Sequence, residues 1–322
     1  MGYKLSIIIP HYNCIEGLCR LLETIPKREE IQVIIVDDNS YVSIPSEIKT
    51  RENVTVLNNY TKQNSAGTCR NIGLDNAIGE WVLFADADDY FVGNWYEKVQ
   101  NYFPTNCEAV FFVPTSIQLD TGEKDVRHLQ YEELLCAYLN APTEENFVKV
   151  RFNYYVPHSK LIKREFLVNN NIRFDNTLVS NDLMFSTLVG HKSKKIHVSS
   201  DVIYCITRGK GSLTTCKNKR NYYIRHQVGI RRAAYLFSNL TKKEISYVGM
   251  DILGIRFLYS DLKNGMGIKY VFQDLKRLKR ENVPLVTGEL FNPIRVLRYV
   301  SGRIIDNRKY KIDTRYTSKK GK

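Results

Sequence analysis

The hydrophobic positions of the first ninety residues follow two periodicities in alternation. Four short, nearly continuous apolar runs are typical of strands buried on both faces: KLSIIIP, IQVIIVDD, NVTVLNN and WVLFAD. Between the first two runs, apolar residues from Ile15 to Ile25 recur at helical spacing. The segment SAGTCRNIGLDNAIG predicts a helix with Ser65 as its N-cap and Gly79 as its stop. This alternation predicts an α/β fold with a mostly parallel sheet flanked by helices.

The rest of the chain predicts two further strands, at 109–119 and 197–207, and a helix around YEELLCAYL. Asp182 stands just before the apolar LMFSTLVG, at a position where another helix can begin. From about Asn218 the pattern is helical and basic. We therefore expect an α/β domain in two halves, 1–110 and 111–215, followed by a basic helical region at 216–322.

Polar clusters follow the four N-terminal strands, and the densest of them is DADD. In sheets of this class, ligands bind beyond the carboxyl ends of the strands. A solvated turn explains one or two of the carboxylates of Asp86, Asp88 and Asp89, but it explains three of them poorly. Carboxylates this close raise one another's pKa unless a cation compensates, so we predict a Mn²⁺ or Mg²⁺ site here.

The second acidic cluster, DDNS, follows the second strand. Taken alone, it fits a turn in which Asp37 caps and Asn39-Ser40 turns. Tyr12, in the cluster after the first strand, can stack on a nucleotide base, and Arg70 lies in the following helix. Together these residues favour a nucleotide site to which DDNS contributes a carboxylate.

The charge of the protein is unevenly distributed. The net charge is +13, yet residues 1–207 carry 20 Lys+Arg against 26 Asp+Glu, and residues 208–322 carry 27 against 8. The basic last third therefore predicts an anionic partner. The seven cysteines are scattered without a CxxC pair, which fits a reducing cytosol and no zinc site. No apolar run approaches the roughly 20 residues needed to span a bilayer.

The motifs SIIIPHYN, VIIVDDNS and NSAGTCRNIGLDNAIGEWVLFADADD, in this order, resemble the donor half of family-2 glycosyltransferases with the GT-A fold. Looser similarity through SKLIKREFL, IRFDNTLVSNDLMF and RGKGSLT extends the resemblance to about two thirds of the chain. It implies that residues 1–110 bind a UDP-sugar donor and 111–215 an acceptor. In detail it implies that Asp38 binds the uracil, that Tyr12 stacks on it, and that Pro10, Gly67 and Arg70 line the nucleotide pocket. Asp86 would reach the ribose and the metal, and Asp88 would ligate the metal. Asp89 is a candidate second metal ligand or an acid that supports the ligands.

The family also places a catalytic base in an acidic pair, usually Glu-Asp, about a hundred residues after DxD. The corresponding pair here is Asn181-Asp182. The resemblance therefore implies Asp182 as the base, although the Glu is absent. At a helix N-terminus the macrodipole favours its anion, and capping of that helix is the alternative role. Base-assisted direct displacement inverts the anomeric carbon, as the family does.

The glycine-containing segment after the strand at 197–207 offers cations and backbone N–H groups for the departing diphosphate: Arg208, Lys210 and Ser212. A flexible basic loop is an equally good interpretation. His158 and Lys160, in PHSKL, are weaker candidates for substrate contact.

The C-terminal segment predicts a helix that begins at Asn292-Pro293 and carries apolar residues at a spacing of three to four with Arg and Lys between them. This fits a basic helix lying on an anionic membrane surface, and also a helix packed on the domain with a solvated face. No recognisable nucleic-acid module accompanies the charge, so we expect no nucleic-acid partner.

We therefore expect an inverting, metal-dependent glycosyltransferase. It would use a UDP-sugar to build a surface or capsular polysaccharide on a glycan or lipid-diphosphate-linked acceptor, peripherally at the inner face of a bacterial membrane. A nucleotide-binding pseudoenzyme of the same fold is the alternative, because the Glu at position 181 is absent. A basic nucleic-acid-binding protein is a third and weaker one.

Overall fold

A computed structural model of the chain describes residues 2–209, 218–250 and 253–286. The chain divides into two compact units, Met1–Gly209 and Lys210–Lys322. In the described parts, the first unit contains strands and helices, and the second contains helices. The division of the α/β domain into halves at residue 110 stays a prediction.

The first unit is built on a curled sheet of eight strands: β1 (Leu5–His11), β2 (Ile31–Asp37), β3 (Val54–Asn58), β4 (Trp81–Phe84), β5 (Tyr90–Phe91), β6 (Ala109–Gln118), β7 (Lys160–Lys163) and β8 (Ile196–Arg208). Their order in the described sheet is β3-β2-β1-β4-β7-β6-β8-β5. Parallel pairs join β1 to β2 and β4, β2 to β3, and β6 to β8. Strand β7 runs antiparallel to β4 and β6, and β5 runs antiparallel to β8. The mostly parallel α/β sheet is therefore confirmed.

Helices flank this sheet: α1 (Ile15–Glu23), α2 (Ser46–Lys49), α3 (Ala66–Asp75), α4 (Trp95–Gln100), α5 (Leu129–Asn140), α6 (Glu144–Asn153), α7 (Arg164–Asn169) and α8 (Leu183–Lys192). The predicted strands at 109–119 and 197–207 correspond to β6 and β8, and YEELLCAYL lies in α5. Strands β5 and β7 are too short to give a periodic signal, and the sequence analysis did not identify them.

The apolar strands are buried on both faces, as their composition predicts. In β1, Leu5, Ile7 and Ile9 belong to one hydrophobic cluster, while Ile8 belongs to a second one. Successive side chains of a strand point to opposite faces, so the two clusters lie on the two sides of the sheet. Complete burial of each such side chain contributes about 1.5–3 kcal/mol. A continuous apolar run is therefore required here, and an alternating one would leave one cluster incomplete.

Helix α3 begins where the sequence predicts and ends earlier. The Ser65 hydroxyl accepts a hydrogen bond from the backbone N–H of Thr68, which confirms Ser65 as the N-cap. The helix ends at Asp75, so Gly79 is not its stop. A Cβ at Gly79 would lie 2.6 Å from the backbone nitrogen of Ser6, and the glycine N–H donates to the Ser6 hydroxyl at 2.9 Å. Gly79 thus permits the chain to approach β1 closely just before β4 begins.

The second unit contains α9 (Lys219–Asn239), α10 (Lys242–Val248), α11 (Leu253–Lys263) and α12 (Ile268–Arg280). Asn218 caps α9, and Thr241 with Glu244 forms a capping box at α10. Among the described helices, none combines the length and the apolar character that a membrane crossing requires. The predicted helix from Asn292 lies outside the described residues.

Candidate active site

The carboxyl ends of β1 and β2 are tied together by side chains from HYN and DDNS. The Cys14 backbone N–H donates to His11 Nε2 at 3.3 Å, which leaves Nδ1–H of His11 to donate to Asp37 Oδ1 at 2.8 Å. The Ser40 hydroxyl donates to the same carboxylate at 2.5 Å. Burial alone would raise the pKa of Asp37, but these hydrogen bonds outweigh it, and the net pKa is lowered. Asp37 therefore ties the segment after β1 to the loop after β2.

Asp38 has a different environment from its neighbour. One of its carboxylate oxygens accepts from Asn59 Nδ2 at 2.6 Å. Nearby, the Tyr12 side chain is half exposed, and its ring centroid lies 6.3 Å from that of Tyr41. A hydrogen bond with Tyr41 and the charge of Asp38 raise the pKa of Tyr12. An acid beside exposed aromatic rings can receive a planar base that offers N–H groups. Pro10 lies in β1, two residues before Tyr12, and pairs with Val36 of β2.

Arg70 links the end of β4 to the start of α8. This buried guanidinium forms an ion pair with Asp86 through Nη2 and donates from Nη1 to Asn181 Oδ1 at 3.0 Å. Burial lowers the pKa of Arg70, but Asp86 and Asp182 raise it, and the net direction is upward. For Asp86, burial raises the pKa and the Arg70 charge more than compensates, so the net pKa is lowered. Asp86 is therefore ionised and oriented by Arg70.

Asp88 lies at the mouth of the site with its side chain exposed. Its backbone is fixed, because Arg20 Nη2 and the Thr207 hydroxyl donate to its carbonyl oxygen at 2.6 and 2.7 Å. Within the described residues, no side chain hydrogen-bonds to its carboxylate, which accepts from its own backbone N–H. Although accessible, it lies in a recess where desolvation, followed by the charge of Asp86, raises its pKa. A bound cation would stabilise the ionised form of this carboxylate.

Asp89 points into the protein. Its two oxygens accept from the Tyr204 hydroxyl at 3.0 Å and from the Thr207 backbone N–H at 2.7 Å. The Tyr204 hydroxyl also accepts from the Asp86 backbone N–H at 2.8 Å. Burial, followed by the charges of Asp88 and Asp86, raises the pKa of Asp89 well above its usual range. The antiparallel pairing of β5 with β8 brings Tyr204 and Thr207 to this loop, and no local sequence signal reveals that pairing.

Asp86 and Asp88 together could bind a divalent cation that prefers oxygen ligands. Their carboxylates are accessible to different degrees and lie two residues apart, and the charge of Asp86 adds to desolvation in raising the pKa of Asp88. Mn²⁺ and Mg²⁺ commonly use one or two carboxylates together with phosphate oxygens and water. Asp89 as a ligand stays a prediction, because both of its oxygens accept hydrogen bonds from the protein.

Asp182 occupies the N-cap position of α8 without capping the helix by its side chain. Burial raises its pKa, and the charges of Arg70 and Lys160 offset this only in part. A carboxylate with a raised pKa is a stronger base than an exposed one. The predicted position at the helix start is confirmed, and the side chain is not consumed by capping.

Asn181 and Gly67 lie where α3 meets the segment before α8. The Asn181 amide accepts from Arg70 and donates from Nδ2 to the Thr177 carbonyl at 3.2 Å. A Cβ at Gly67 would lie 2.1 Å from the Asp175 carbonyl oxygen and 2.7 Å from Asn181 Cβ. Gly67 is thus required for this close approach, whatever it contributes to a pocket. Asn181 orients Arg70 from the position where a Glu was expected.

The predicted phosphate-binding cations are only partly described. Arg208 lies 3.4 Å from the buried carboxylate of Asp125, while Lys210 and Ser212 lie outside the described residues. Arg127, which the sequence analysis missed, donates to the Thr207 carbonyl at 2.9 Å, and its charge lowers the pKa of both Asp86 and Asp88. It is a further candidate for a diphosphate.

His158 and Lys160 are both buried, and substrate contact by either of them stays a prediction. Burial lowers the pKa of His158 to about 3, and its ring stacks on Tyr204 at 5.1 Å. Lys160 Nζ donates to the Tyr154 carbonyl at 2.5 Å and lies over the rings of Phe111 and Tyr154, 4.9 and 4.8 Å from their centroids. Both side chains support the floor of the site.

Sequence comparisons match these features to known proteins. Residues 6–169, about half of the chain, match the family described as Glycosyl transferase family 2. The poly(ribitol-phosphate) beta-N-acetylglucosaminyltransferase TarS of Staphylococcus aureus is 26% identical over 209 residues, which cover 62% of this chain and 35% of TarS. A poly(ribitol-phosphate) beta-glucosyltransferase of Bacillus spizizenii is 28% identical over 213 residues, 62% of this chain and 32% of that protein. The matched segments thus span about a third of these curated relatives.

Structural comparison gives the same fold. The crystal structure of S. aureus TarS 1-349 in complex with UDP-GlcNAc matches with a TM-score of 0.63 at 20% identity, over 96% of this chain and 89% of that one. The resemblance inferred from the motifs is confirmed. The chain belongs to glycosyltransferase family 2, and its α/β unit has the GT-A fold.

Proposed function

We propose that the protein transfers a hexose or N-acetylhexosamine from a UDP-sugar to an acceptor hydroxyl with inversion at the anomeric carbon. The observation that carries this proposal is the arrangement around Arg70. That residue joins Asp86, at the end of β4, to Asn181, whose neighbour Asp182 offers a carboxylate that does not cap α8. A donor-binding acid and a base are therefore held by one buried cation.

The donor nucleotide would lie along the ends of β1 to β4. Tyr12 would stack on the base and Asp38 would accept its N–H groups, while Asp86 would reach the ribose. The TarS structure with UDP-GlcNAc supports a donor of this class, since it shares the fold. A divalent cation held by Asp86 and Asp88, when bound, would neutralise charge on the diphosphate as it departs.

The chemistry then needs one base. As the acceptor oxygen attacks the anomeric carbon, its proton passes to a carboxylate oxygen of Asp182, and the bond from that carbon to the phosphate oxygen breaks. The electron pair of that bond leaves with the nucleoside diphosphate. Arg127, together with Arg208, Lys210 and Ser212, would stabilise its charge. Attack opposite the leaving group inverts the configuration.

For the acceptor we propose an anionic polyol-phosphate or glycan polymer, carried on a lipid diphosphate. Two relatives are named for poly(ribitol-phosphate), and the balance of 27 basic against 8 acidic residues in 208–322 is complementary to such a polymer. The same charge would hold the protein peripherally at an anionic cytoplasmic membrane surface, where that acceptor is built.

The experiment is a donor screen. The full chain is incubated with Mn²⁺, a panel of nucleotide sugars and ribitol-phosphate oligomers, and released UDP and the anomeric configuration of the product are measured. We expect one UDP-sugar to be turned over to an inverted product.

A nucleotide-binding protein without transfer activity is the second candidate, because Asn181 replaces the expected Glu. UDP binding without turnover of any donor on any acceptor would favour it over the transferase.

A further inference from the structure

The helical unit contains a buried cluster of one histidine and two aspartates, drawn from three helices. His226 lies in α9, Asp261 in α11 and Asp274 in α12. His226 Nε2 is 2.7 Å from Asp274 Oδ2 and 3.4 Å from Asp261 Oδ1, and the three side chains are 4%, 3% and 1% exposed for His226, Asp274 and Asp261. Two carboxylates in such a place require positive charge to compensate them.

The neighbouring hydrogen bonds orient these ligand atoms toward one another. The Tyr222 hydroxyl oxygen lies 3.2 Å from His226 Nδ1, 3.1 Å from Asp261 Oδ1 and 2.9 Å from Ser260 Oγ, and its single proton serves the Asp261 carboxylate. Gln227 Nε2 donates to Asp274 Oδ1 at 2.9 Å. With Nδ1–H directed at Tyr222, His226 turns Nε2 toward the two carboxylates. Metal-binding histidines are commonly oriented in this way by their second nitrogen.

Three buried polar atoms of this cluster have no partner with hydrogen-bond geometry: His226 Nε2, Asp261 Oδ2 and Asp274 Oδ2. Two atoms that share a metal in tetrahedral geometry, each at ~2.0–2.1 Å from it, lie about 3.3 Å from one another. Asp261 Oδ1, at 3.4 Å from Nε2, has this separation, whereas Asp274 Oδ2, at 2.7 Å, lies at ion-pair distance and would move outward to share the ion.

We propose that His226, Asp261 and Asp274 bind one divalent transition-metal ion, Zn²⁺ by preference, which joins helices α9, α11 and α12. All three candidate ligand atoms lie within 4.8 Å of one another. Two carboxylates and a neutral imidazole make the site neutral with a divalent ion. Zn²⁺ accepts imidazole nitrogen and carboxylate oxygen as ligands, and Asp261 Oδ2, buried without a hydrogen-bond partner, is available as a fourth donor.

The site is independent of the proposed donor site, and the experiment separates them. The full chain is stripped with a chelator, reloaded with Zn²⁺, passed through gel filtration and analysed for metal content. Wild type and Asp88→Asn are expected to retain one equivalent of Zn²⁺ per chain and to show a higher thermal midpoint than the stripped protein. His226→Gln is expected to lose both the metal and the shift, while the exposed-histidine control His197→Gln keeps them.

If the His226 variant does not fold, wild type decides the question with Co²⁺ as the probe. Visible ligand-field bands that Zn²⁺ abolishes support the site. Failure of the wild-type chain to retain metal, with a thermal midpoint indifferent to Zn²⁺ and chelator, overturns the proposal and leaves protons as the compensating charge. Retention by His226→Gln together with loss by Asp88→Asn overturns it as well, because the metal then belongs to the strand ends.

Discussion

Carboxylates cluster in two regions of this protein, and the two clusters differ in how far their oxygens are exposed to solvent. At the strand ends of the first unit, Asp88 is exposed with its carboxylate unpaired by other described side chains. In the helical unit, Asp261 and Asp274 are almost wholly buried around His226. An open cluster can exchange ligands and admit a substrate, whereas a closed one can only contribute to stability. Exposure of the unpaired oxygens, more than the number of acids, therefore separates a candidate reaction site from a candidate structural one.

The same contrast operates within the strand-end cluster. Asp37 and Asp89 direct their oxygens at protein donors, and they hold loops together. Among the described residues, no other side chain hydrogen-bonds to the carboxylate of Asp88, and the carboxylate of Asp182 does not cap α8. The adjacent residues Asp88 and Asp89 thus differ in their contacts although both are aspartates.

The largest effect is expected at the base. Asp182→Asn should reduce turnover by about 10²–10⁴-fold, because a positioned base contributes that much, while UDP affinity is retained. Since the pKa of Asp182 is raised, its ionised form costs stability at neutral pH, so the thermal midpoint should not fall. Released UDP and a thermal melt measure both. Glu52→Gln, an exposed acid removed elsewhere, serves as the control; loss of turnover there, or full turnover in Asp182→Asn, contradicts the assignment.

A smaller effect is expected at the aromatic side of the donor site. Tyr12→Ala should weaken UDP binding about 5- to 150-fold, because stacking on a base contributes ~1–3 kcal/mol. Tyr12→Phe keeps the ring and should bind UDP nearly as well as wild type. Calorimetric titration with UDP measures both variants. Equal affinity for Ala and Phe at this position would remove Tyr12 from the site.

The pH dependence of turnover sharpens the contrast between free and held acids. With donor and metal saturating, kcat should fall as the pH falls through the raised pKa of Asp182, because the protonated carboxyl cannot accept a proton. The limiting slope is about tenfold per pH unit for a single proton. A profile of kcat against pH for wild type tests this. A kcat independent of pH across the acid range would mean that another group is the base.

The smallest effect is expected at the held acid. Asp89→Asn keeps an oxygen for the Thr207 N–H, so at a pH below about 4, where Asp89 is protonated in the folded and the unfolded state, the free energy of unfolding should change by no more than about 1 kcal/mol. The folded pKa of Asp89 is raised, so its contribution to stability is present below the unfolded pKa and is lost as the pH rises through the folded one. Wild type should therefore lose stability relative to Asp89→Asn as the pH rises. Denaturant titrations at two pH values measure the difference, and an unchanged difference would contradict the buried environment.

Much of the fold was predictable because strands β1 to β4 carry continuous apolar runs and α3 carries its own cap. The motif order also identified the family, while the roles that it implies for Asp38, Arg70, Asp86 and Asp182 stay predictions. These signals are local, so they survive without knowledge of tertiary contacts.

Which acids are hydrogen-bonded within the protein and which are exposed was not predictable from the sequence. It depends on Tyr204 and Thr207, which lie more than a hundred residues from Asp89 and reach it only through the pairing of β5 with β8. Arg127 was missed for the same reason, because its hydrogen bond to the Thr207 carbonyl is what holds its charge near Asp86 and Asp88. The burial of Lys160 was equally hidden, because nothing in PHSKL shows that Phe111 and Tyr154 enclose its amine.

Asp88 and Asp89 are adjacent in the chain, and we assign metal binding to Asp88 and loop attachment to Asp89. Titration of UDP into wild type, Asp88→Asn and Asp89→Asn, with and without Mn²⁺, separates these two roles. We expect Mn²⁺ to strengthen UDP binding to wild type and to Asp89→Asn but not to Asp88→Asn. Loss of the Mn²⁺ effect in Asp89→Asn with its retention in Asp88→Asn would contradict this assignment.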